Sequence, residues 1–350
     1  MEATHAPEKR VAIKRWLVLI LILAGGWFAF GANASIRPIS PPVVLPGEPI
    51  GISIAGFPIT NTLLATLITD AVLILIALLS VQRFARSGSL VPRGFYNFFE
   101  WLVEFLWNTT EGTAGRWANR RLLGVFSIFT VMATIFLLVF TANMVKLVPG
   151  FESIGLLEET HGSLQGYEPR PLFGNVYYLD AAHPVTHAAE HAEGGAATEE
   201  HTLCEACVVV PFLRGSATDL NFTFALAIIS VVMIQVFGLW ALGGSYLTKF
   251  FNTRTMFTVP MFGVIDFGVG MLELVSELAK ILSFGFRLFG NIFAGALLIS
   301  ILGALTAVIV PTGLYLLEVF VGIIQAYVFA MLTLVFMSQA LVSHHGDEHH

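Results

Sequence analysis

A row of charged and polar residues lies within an otherwise apolar segment near the carboxyl end of the sequence. Its members follow one another at intervals of four, three, seven and four residues: Glu273, Glu277, Lys280, Arg287 and Asn291. At about 100° per residue, this spacing places them within one third of a helix circumference, and Ser283 lies beside them. The row rises about 27 Å along the axis, which predicts a polar stripe that crosses most of a bilayer.

The charges in this stripe need partners, water or a function, because an ionisable group in a membrane helix costs about 2.5–3.5 kcal/mol. Glu273 or Glu277 can pair with Lys280, which explains that end of the stripe as packing inside a helix bundle. Arg287 has no acidic residue within seven positions on either side. We therefore expect its counter-ion to come from another helix or another chain.

The amino-acid composition indicates that the helix carrying this stripe lies in a lipid bilayer. The chain is 56% hydrophobic and only 12% charged, whereas soluble domains are roughly 25% charged. A span needs about 20 apolar residues. Six stretches qualify, at about residues 16–34, 60–82, 122–145, 221–248, 264–310 and 311–343. The sequence therefore predicts an all-α polytopic membrane protein in a lipid bilayer. The formal net charge of −6, with basic residues at helix flanks, does not indicate nucleic-acid binding.

The first apolar stretch has two interpretations. Basic residues precede it and Ala32-Asn33-Ala34 ends it, as in a cleavable signal peptide. The alternative, a retained signal-anchor helix, is favoured by the long apolar run. Both place Ser35 outside, so residues 1–56 are interpreted as this helix and an external linker, and residues 57–343 as the membrane domain.

Basic residues indicate the orientation of the spans. Those flanking spans two, three and four fall on one side if the amino terminus is cytoplasmic: Arg83, Arg86, Arg93, Arg116, Arg120, Arg121, Lys249 and Arg254. The acidic loop at about 149–213 has Arg170 as its one basic residue, which predicts an external position. Within it, residues 183–200 are expected to form a mobile loop. Six spans return the His-rich tail, residues 344–350, to the cytoplasm.

Residues 94–108, between spans two and three, are amphipathic. Apolar residues recur there at helical spacing, and the other side carries Asn97, Glu100, Glu104 and Asn108. This pattern predicts a helix along the cytoplasmic membrane interface. The alternative is a packed cytoplasmic helix.

The last segment carries Glu318 and Gln325, seven residues apart and therefore on one helix face. If segments five and six form an antiparallel hairpin that turns near Pro311, Glu318 lies toward the outer side, beyond Arg287. A carboxylate and an amide there can line a water-filled funnel. Small residues near the arginine allow another helix to approach closely, or pack within the chain: Gly285, Gly290, Ala294 and Gly295.

The two cysteines are too few for a disulfide framework. Cys204 and Cys207 form a single C-x-x-C motif. A local disulfide or two free thiols is favoured over a redox or metal site built with loop histidines. The sequence predicts no cofactor and no resident metal.

Four segments, in order, resemble subunit a of F-type ATP synthases. Residues 283–295 read Ser-Phe-Gly-Phe-Arg-Leu-Phe-Gly-Asn-Ile-Phe-Ala-Gly and resemble the signature of that family. Residues 318–333 resemble its last helix, residues 214–223 the start of its fourth, and residues 147–150 the end of its third. The resemblance extends over about residues 57–340.

The resemblance implies two long, tilted helices that form a hairpin against a ring of c subunits, with an interfacial amphipathic helix. Arg287 would match the stator arginine of the family. The other matches are polar residues that flank the arginine (Asn291, Gln325), channel-side positions (Lys280, Ser283) and a cytoplasmic-side acid (Glu273). The sequence departs from many bacterial members at Ala296, where they carry an acid, and at Glu318, where they often carry histidine. A carboxylate moved between the two helices could serve the same channel.

The implied function is to couple H⁺ passage to c-ring rotation and ATP synthesis, without bond chemistry in this subunit. An outer half-channel would contain Asp219, Asn221, Glu318 and Gln325. An inner one would contain Glu273, Glu277, Lys280 and Ser283. The implied partners are the c-ring, b-type peripheral-stalk subunits and the remaining synthase subunits, in a bacterial inner membrane. The alternatives are a Na⁺-coupled version and a stand-alone transporter or channel, against which the lack of repeated halves counts.

Overall fold

The computed structural model describes most of the chain, namely residues 16, 20, 47–54, 56–87, 95–122, 124–148, 150–159, 165–186, 204, 206–250, 260–305 and 309–342. Most of the first predicted span and the His-rich tail lie outside these ranges. The described part contains five helices that are long and apolar enough to cross a membrane: Asn61–Ser80, Ile128–Val145, Leu220–Thr248, Phe267–Ile299 and Thr312–Ala340. These helices confirm the all-α polytopic fold class and five of the six predicted spans.

Six long helices and six strands make up the described chain. The helices are α1 Asn61–Ser87, α2 Phe95–Ala114, α3 Ile128–Val145, α4 Leu220–Leu242, α5 Pro260–Leu305 and α6 Ile309–Ala340. The strands are β1 Pro49–Ile54, β2 Phe57–Thr60, β3 Gly155–Glu159, β4 Gln165–Phe173, β5 Val176–Thr186 and β6 Cys207–Pro211. A 3-10 helix, Gly243–Lys249, follows α4.

Local capping chemistry explains where the helix boundaries differ from the predicted ones. The third helix starts six residues later than predicted, because the Ser127 side chain caps it by accepting a hydrogen bond from the Thr130 backbone N–H. The fourth ends earlier than predicted, at Gly243, whose φ of 59° favours glycine. The last begins before Pro311, which is tolerated because backbone N–H groups in the first helical turn have no intrahelical partner.

The chain divides into two compact units. The first comprises Met1–Val44, Pro149–Leu213 and Ala294–Val319, and the second Leu45–Val148, Arg214–Phe293 and Phe320–His350. In the second unit, the largest fully buried side chains come from every helix between α2 and α6, among them Leu106, Met132, Ile234, Leu288 and Leu334. These side chains belong to one apolar core that the helices share. Burying one such side chain contributes about 1.5–3 kcal/mol.

Within this second unit, α5 and α6 are antiparallel, as the predicted hairpin requires. The ring centroids of Phe284 and Phe329 lie 5.1 Å apart. Further along α5, Asn291 contacts Gln325, which is earlier in α6. Because residue numbers rise on one helix while they fall on the other, the two helices run in opposite directions.

The predicted amphipathic helix is present as α2 and extends to Ala114. Leu102 and Leu106 are buried in the core, whereas Phe98 and Trp101 are exposed. One face of α2 therefore packs against protein and leaves an aromatic face uncovered. Its position along a membrane interface stays a prediction.

The first unit contains an antiparallel sheet that the sequence analysis did not predict. Its strand order is β3-β6-β4-β5, and its small core includes Tyr167, Leu179 and Cys207. Residues 183–186, the beginning of the predicted mobile loop, are the end of β5. Cys204 and Cys207 form a disulfide bond, which is one of the two favoured states.

Candidate functional site

The polar stripe on α5 contains a largely buried ion pair. Lys280 Nζ donates to Glu277 Oε1 at 2.8 Å. Gln235 Nε2, on α4, donates to the other carboxylate oxygen, Oε2, at 2.8 Å. Glu277 is only 5% exposed, so both of its oxygens receive the donors that a buried carboxylate requires. The predicted pairing at this end of the stripe is therefore present, with Glu277 as the acid.

Tyr246 and Phe336 complete the surroundings of this pair. The Tyr246 hydroxyl donates to Gln235 Oε1 at 2.8 Å. Lys280 Nζ lies 4.7 Å from the ring centroid of Phe336, which is a cation–π arrangement. Neither Gln235 nor Tyr246 was predicted from the sequence as a site residue. The amide of Gln235, in the middle of an uncharged helix, was the available signal.

Arg287 lies two turns beyond Lys280 on α5. Its Nη2 donates to Ser283 Oγ at 3.2 Å, at an exposed position. Within the ranges that the structure describes, no acidic side chain forms an ion pair with Arg287, so the counter-ion expected from another helix or another chain stays a prediction. Among the described residues, Ser283 is therefore the hydrogen-bond partner of this guanidinium.

Asn291 and Gln325 connect the stripe to α6. Asn291 Nδ2 donates to Gln325 Oε1 at 3.2 Å, and Gln325 is 5% exposed. The structure thus brings together two of the polar residues expected to flank Arg287.

Asn143, on α3, is a buried amide that the sequence analysis missed. It is 1% exposed, and its Nδ2 donates to the backbone carbonyl of Gly322 on α6 at 3.2 Å. Gly322 permits this contact, because a Cβ there would lie 3.1 Å from Asn143 Cβ. In the described residues, Asn143 Oδ1 and Gln325 Nε2 have no hydrogen-bond partner.

The small residues near Arg287 have different surroundings. A Cβ on Gly285 would lie 3.1 Å from the Phe224 ring of α4, so Gly285 serves packing within the chain. A Cβ on Gly290 would have no described atom within 4 Å. The side of α5 at Gly290 therefore leaves room for an approaching surface.

Glu318 lies in the first unit. It is 9% exposed, and a Cβ on Gly295 would lie 3.3 Å from its Oε1. A glycine at position 295 therefore makes room for this carboxylate. Of the other predicted polar residues, Glu273 is half-buried and the side chain of Asn221 is exposed.

Asp219 anchors the start of α4. Its Oδ1 accepts from the Asn221 backbone N–H at 2.9 Å, and its Oδ2 accepts from Thr62 Oγ1 on α1 at 2.7 Å. Asp219 is 6% exposed. Because each oxygen has a donor, this carboxylate is a helix cap and a link between two helices.

Asp219→Ala is expected to lower the stability of the assembled protein by about 1–3 kcal/mol, because the cap and the Thr62 acceptor are both lost. Asp219→Asn retains an oxygen for the cap and is expected to lose less. Thermal unfolding of the purified protein measures the difference. Equal midpoints for the alanine and asparagine variants would contradict the capping role.

The described residues contain no group of three or more His, Cys, Asp and Glu side chains placed to hold a metal ion. The two sulfur atoms of the C-x-x-C motif, which could otherwise bind a metal, are bonded to each other in the disulfide. The polar side chains described along α5 form an ion pair and hydrogen bonds.

Known proteins are similar in sequence to this chain over most of its length. The chain matches the family model of the ATP synthase A chain over residues 63–338. ATP synthase subunit a of Mycobacterium ulcerans is 26% identical over 295 residues, which cover 83% of this chain and 90% of that protein. The Campylobacter jejuni protein of the same name is 25% identical over 273 residues, covering 78% and 88%.

Other relatives match over a shorter stretch. ATP synthase subunit a of Desulforamulus reducens is 35% identical over 150 residues, which cover 40% of this chain and 52% of that protein. With the Moorella thermoacetica relative, the match covers 57% of its length. The chain thus spans about half the length of these two relatives. The family model nevertheless covers the polar stripe, all five described spans in large part, and the helix hairpin, so the chain belongs to the ATP synthase A chain family.

Proposed function

We propose that this chain is the stator subunit of an F-type ATP synthase membrane sector and couples proton passage to rotation of a c-ring. One observation carries the proposal: Arg287 is a cation on a membrane helix without an ion-pair partner in the described residues. Family membership supports a place in the synthase complex. The subunit performs no bond chemistry, and ATP is made by other subunits.

The guanidinium of Arg287 would stabilise the ionised carboxylate of each c subunit as it passes, since opposite charges within about 4–6 Å favour the charged form. At an effective dielectric constant of 20, a pair at 4 Å is worth about 4 kcal/mol. The membrane potential supplies about 2.3 kcal/mol per charge per 100 mV. Because the two energies are comparable, the pairing is transient. Arginine suits this role because it stays protonated.

Protons pass through two half-channels that do not meet, because a continuous path would dissipate the gradient. The outer half-channel is assigned to Asp219, Asn221, Glu318 and Gln325, and the inner one to Glu273, Glu277, Lys280 and Ser283. Arg287 separates them, with Asn291 beside it. A protonated c-subunit carboxylate can turn into lipid because the penalty for burying its charge is gone.

The orientation follows from the distribution of basic residues. Residues 149–213 are external and both termini are cytoplasmic if the first helix is retained, in a bacterial inner membrane. The partners are the c-ring, b-type stalk subunits and the other synthase subunits. A stand-alone transporter is the competing function, and it requires ion flux through the purified chain in liposomes without a c-ring.

A cross-link tests the proposed contact with the ring. Gly290→Cys places a thiol one turn from Arg287, where a Cβ has open space. It is expected to form a disulfide with a cysteine placed beside the carboxylate on the c subunit. Leu288→Cys is the matched control, because Leu288 is fully buried in the core. A cross-link that forms equally at both positions, or at neither, would count against the contact.

A further inference from the structure

Residues of three elements form a chain of hydrogen bonds that ends at the Glu277 carboxylate, and two of these residues have no role in the half-channels described above. Gln235 comes from α4, Tyr246 from the 3-10 helix that follows it, and Lys280 from α5 itself. The heavy-atom distances of the three hydrogen bonds, Tyr246 to Gln235, Gln235 to Glu277 and Lys280 to Glu277, are each 2.8 Å. We call these four residues the Glu277 network.

The backbone is shaped to bring Tyr246 into this network. Gly243, at φ 59°, ends α4 and lets the 3-10 helix fold back along it. The Tyr246 ring then lies on Gly238, where a Cβ would be 2.5 Å from ring atom Cε2. Tyr246 is 4% exposed. A side chain at position 238 would displace the ring, so glycine is required for this contact.

The direction of the hydrogen bonds gives each residue a distinct task. The Tyr246 hydroxyl donates to the amide oxygen of Gln235 and so turns the amide NH₂ toward Glu277. With the amide reversed, its oxygen would face the carboxylate and repel it. Tyr246 thus sets the orientation of Gln235, Gln235 holds one oxygen of Glu277, and the other oxygen holds Lys280.

We propose that Gln235 and Tyr246 are positioning residues of the inner half-channel, which hold the Glu277–Lys280 pair on the polar stripe; this proposal rests on the proposed function. Lys280 lies three residues before Ser283 and seven before Arg287, on the same side of α5. Its ammonium is fixed between Glu277 and the Phe336 ring. Without the Gln235 donor, both charged side chains gain freedom, and the electrostatic potential along the exit path for protons is no longer fixed.

The experiment uses the complete synthase in inverted membrane vesicles and measures ATP-driven proton pumping per assembled complex. Gln235→Met preserves the volume but removes the donor, and it is expected to slow pumping about tenfold. Tyr246→Phe preserves the ring and is expected to slow pumping about threefold. Because Tyr246 acts through Gln235, the double variant should pump no more slowly than Gln235→Met alone.

Rescue and control variants separate positioning from packing. Gln235→His keeps one ring nitrogen as a donor and one as an acceptor, and should recover part of the pumping rate. Tyr327→Phe removes a hydroxyl from a tyrosine that packs on Phe105 and should leave pumping unchanged. If the Tyr246→Phe effect persists in full in the Gln235→Met background, or if both single variants pump normally, the proposal is overturned. Arg287→Ala reports separately on the proposed function, since coupled pumping in that variant would refute the stator role itself.

Discussion

Arg287→Ala is expected to abolish ATP-driven proton pumping in inverted vesicles while the complex still assembles. Under the proposed function, the c-subunit carboxylate would lose about 4 kcal/mol of stabilisation of its ionised form, and a barrier higher by this amount corresponds to about a thousandfold in rate. Assembly survives because no acidic side chain of the described residues is left buried without its partner. The measurement is the initial rate of vesicle acidification, normalised to the amount of assembled complex.

Arg120→Ala is the matched control for this variant. The Arg120 guanidinium lies 4.5 Å from the Trp117 ring centroid and 5.4 Å from that of Trp240. It packs by cation–π contacts on these two tryptophans, neither of which is on α5, so its removal should leave coupled pumping in place. Coupled pumping at the normal rate in Arg287→Ala vesicles would exclude Arg287 as the stator cation.

The chemistry-bearing helix could be predicted from the sequence because its signal is local. The spacing from Glu273 to Asn291 fixes which residues share a face of α5, whatever packs around it. The ion pair of Glu277 and Lys280 is separated by less than one turn, so helix geometry alone brings the two side chains together. The isolation of Arg287 also follows from its own helix, and the described residues add no ion-pair partner.

Contacts between distant segments could not be predicted in this way. Gln235 and Glu277 are 42 residues apart, and Asn143 and Gly322 are 179 apart. Such pairs depend on the packing of α3, α4, α5 and α6, for which no short-range pattern exists. The glycines that make room for Tyr246 and Asn143, Gly238 and Gly322, appear in the sequence only as interruptions of apolar helices.

The four-stranded sheet was missed for a related reason. Its strands lie in a polar, acidic region, and β4 contains two prolines, Pro169 and Pro171, which argue against a strand when read alone. The strands are stabilised instead by contacts with their neighbours in the sheet, which a local sequence pattern does not reveal. Arg170 forms an ion pair with Asp180 on β5 at 2.8 Å, and Val208 and Val210 of β6 are buried.

Neutralising one member of the Glu277–Lys280 pair should have a much larger effect than neutralising both. Lys280→Met leaves a carboxylate that is 5% exposed without its cation, and breaking a buried pair in this way costs about 3–5 kcal/mol. We expect a severe loss of assembled complex. The double variant Glu277→Gln/Lys280→Met removes both charges, keeps an oxygen for the Gln235 amide and is expected to restore assembly. Quantifying intact complex in the membrane fraction measures both results.

A second ion pair in the same chain calibrates this comparison. The side chains of Arg170 and Asp180 are 44% and 14% exposed, whereas those of Lys280 and Glu277 are 19% and 7% exposed. Water screens the more exposed pair, so Arg170→Met should cost no more than about 1 kcal/mol. If Lys280→Met assembles as well as Arg170→Met does, the Glu277 carboxylate does not depend on Lys280. If instead the single variant fails and the double variant recovers assembly, the charge of the pair is dispensable for folding. Any pumping defect that remains in the recovered double variant then supports a role of the pair in the proposed inner half-channel.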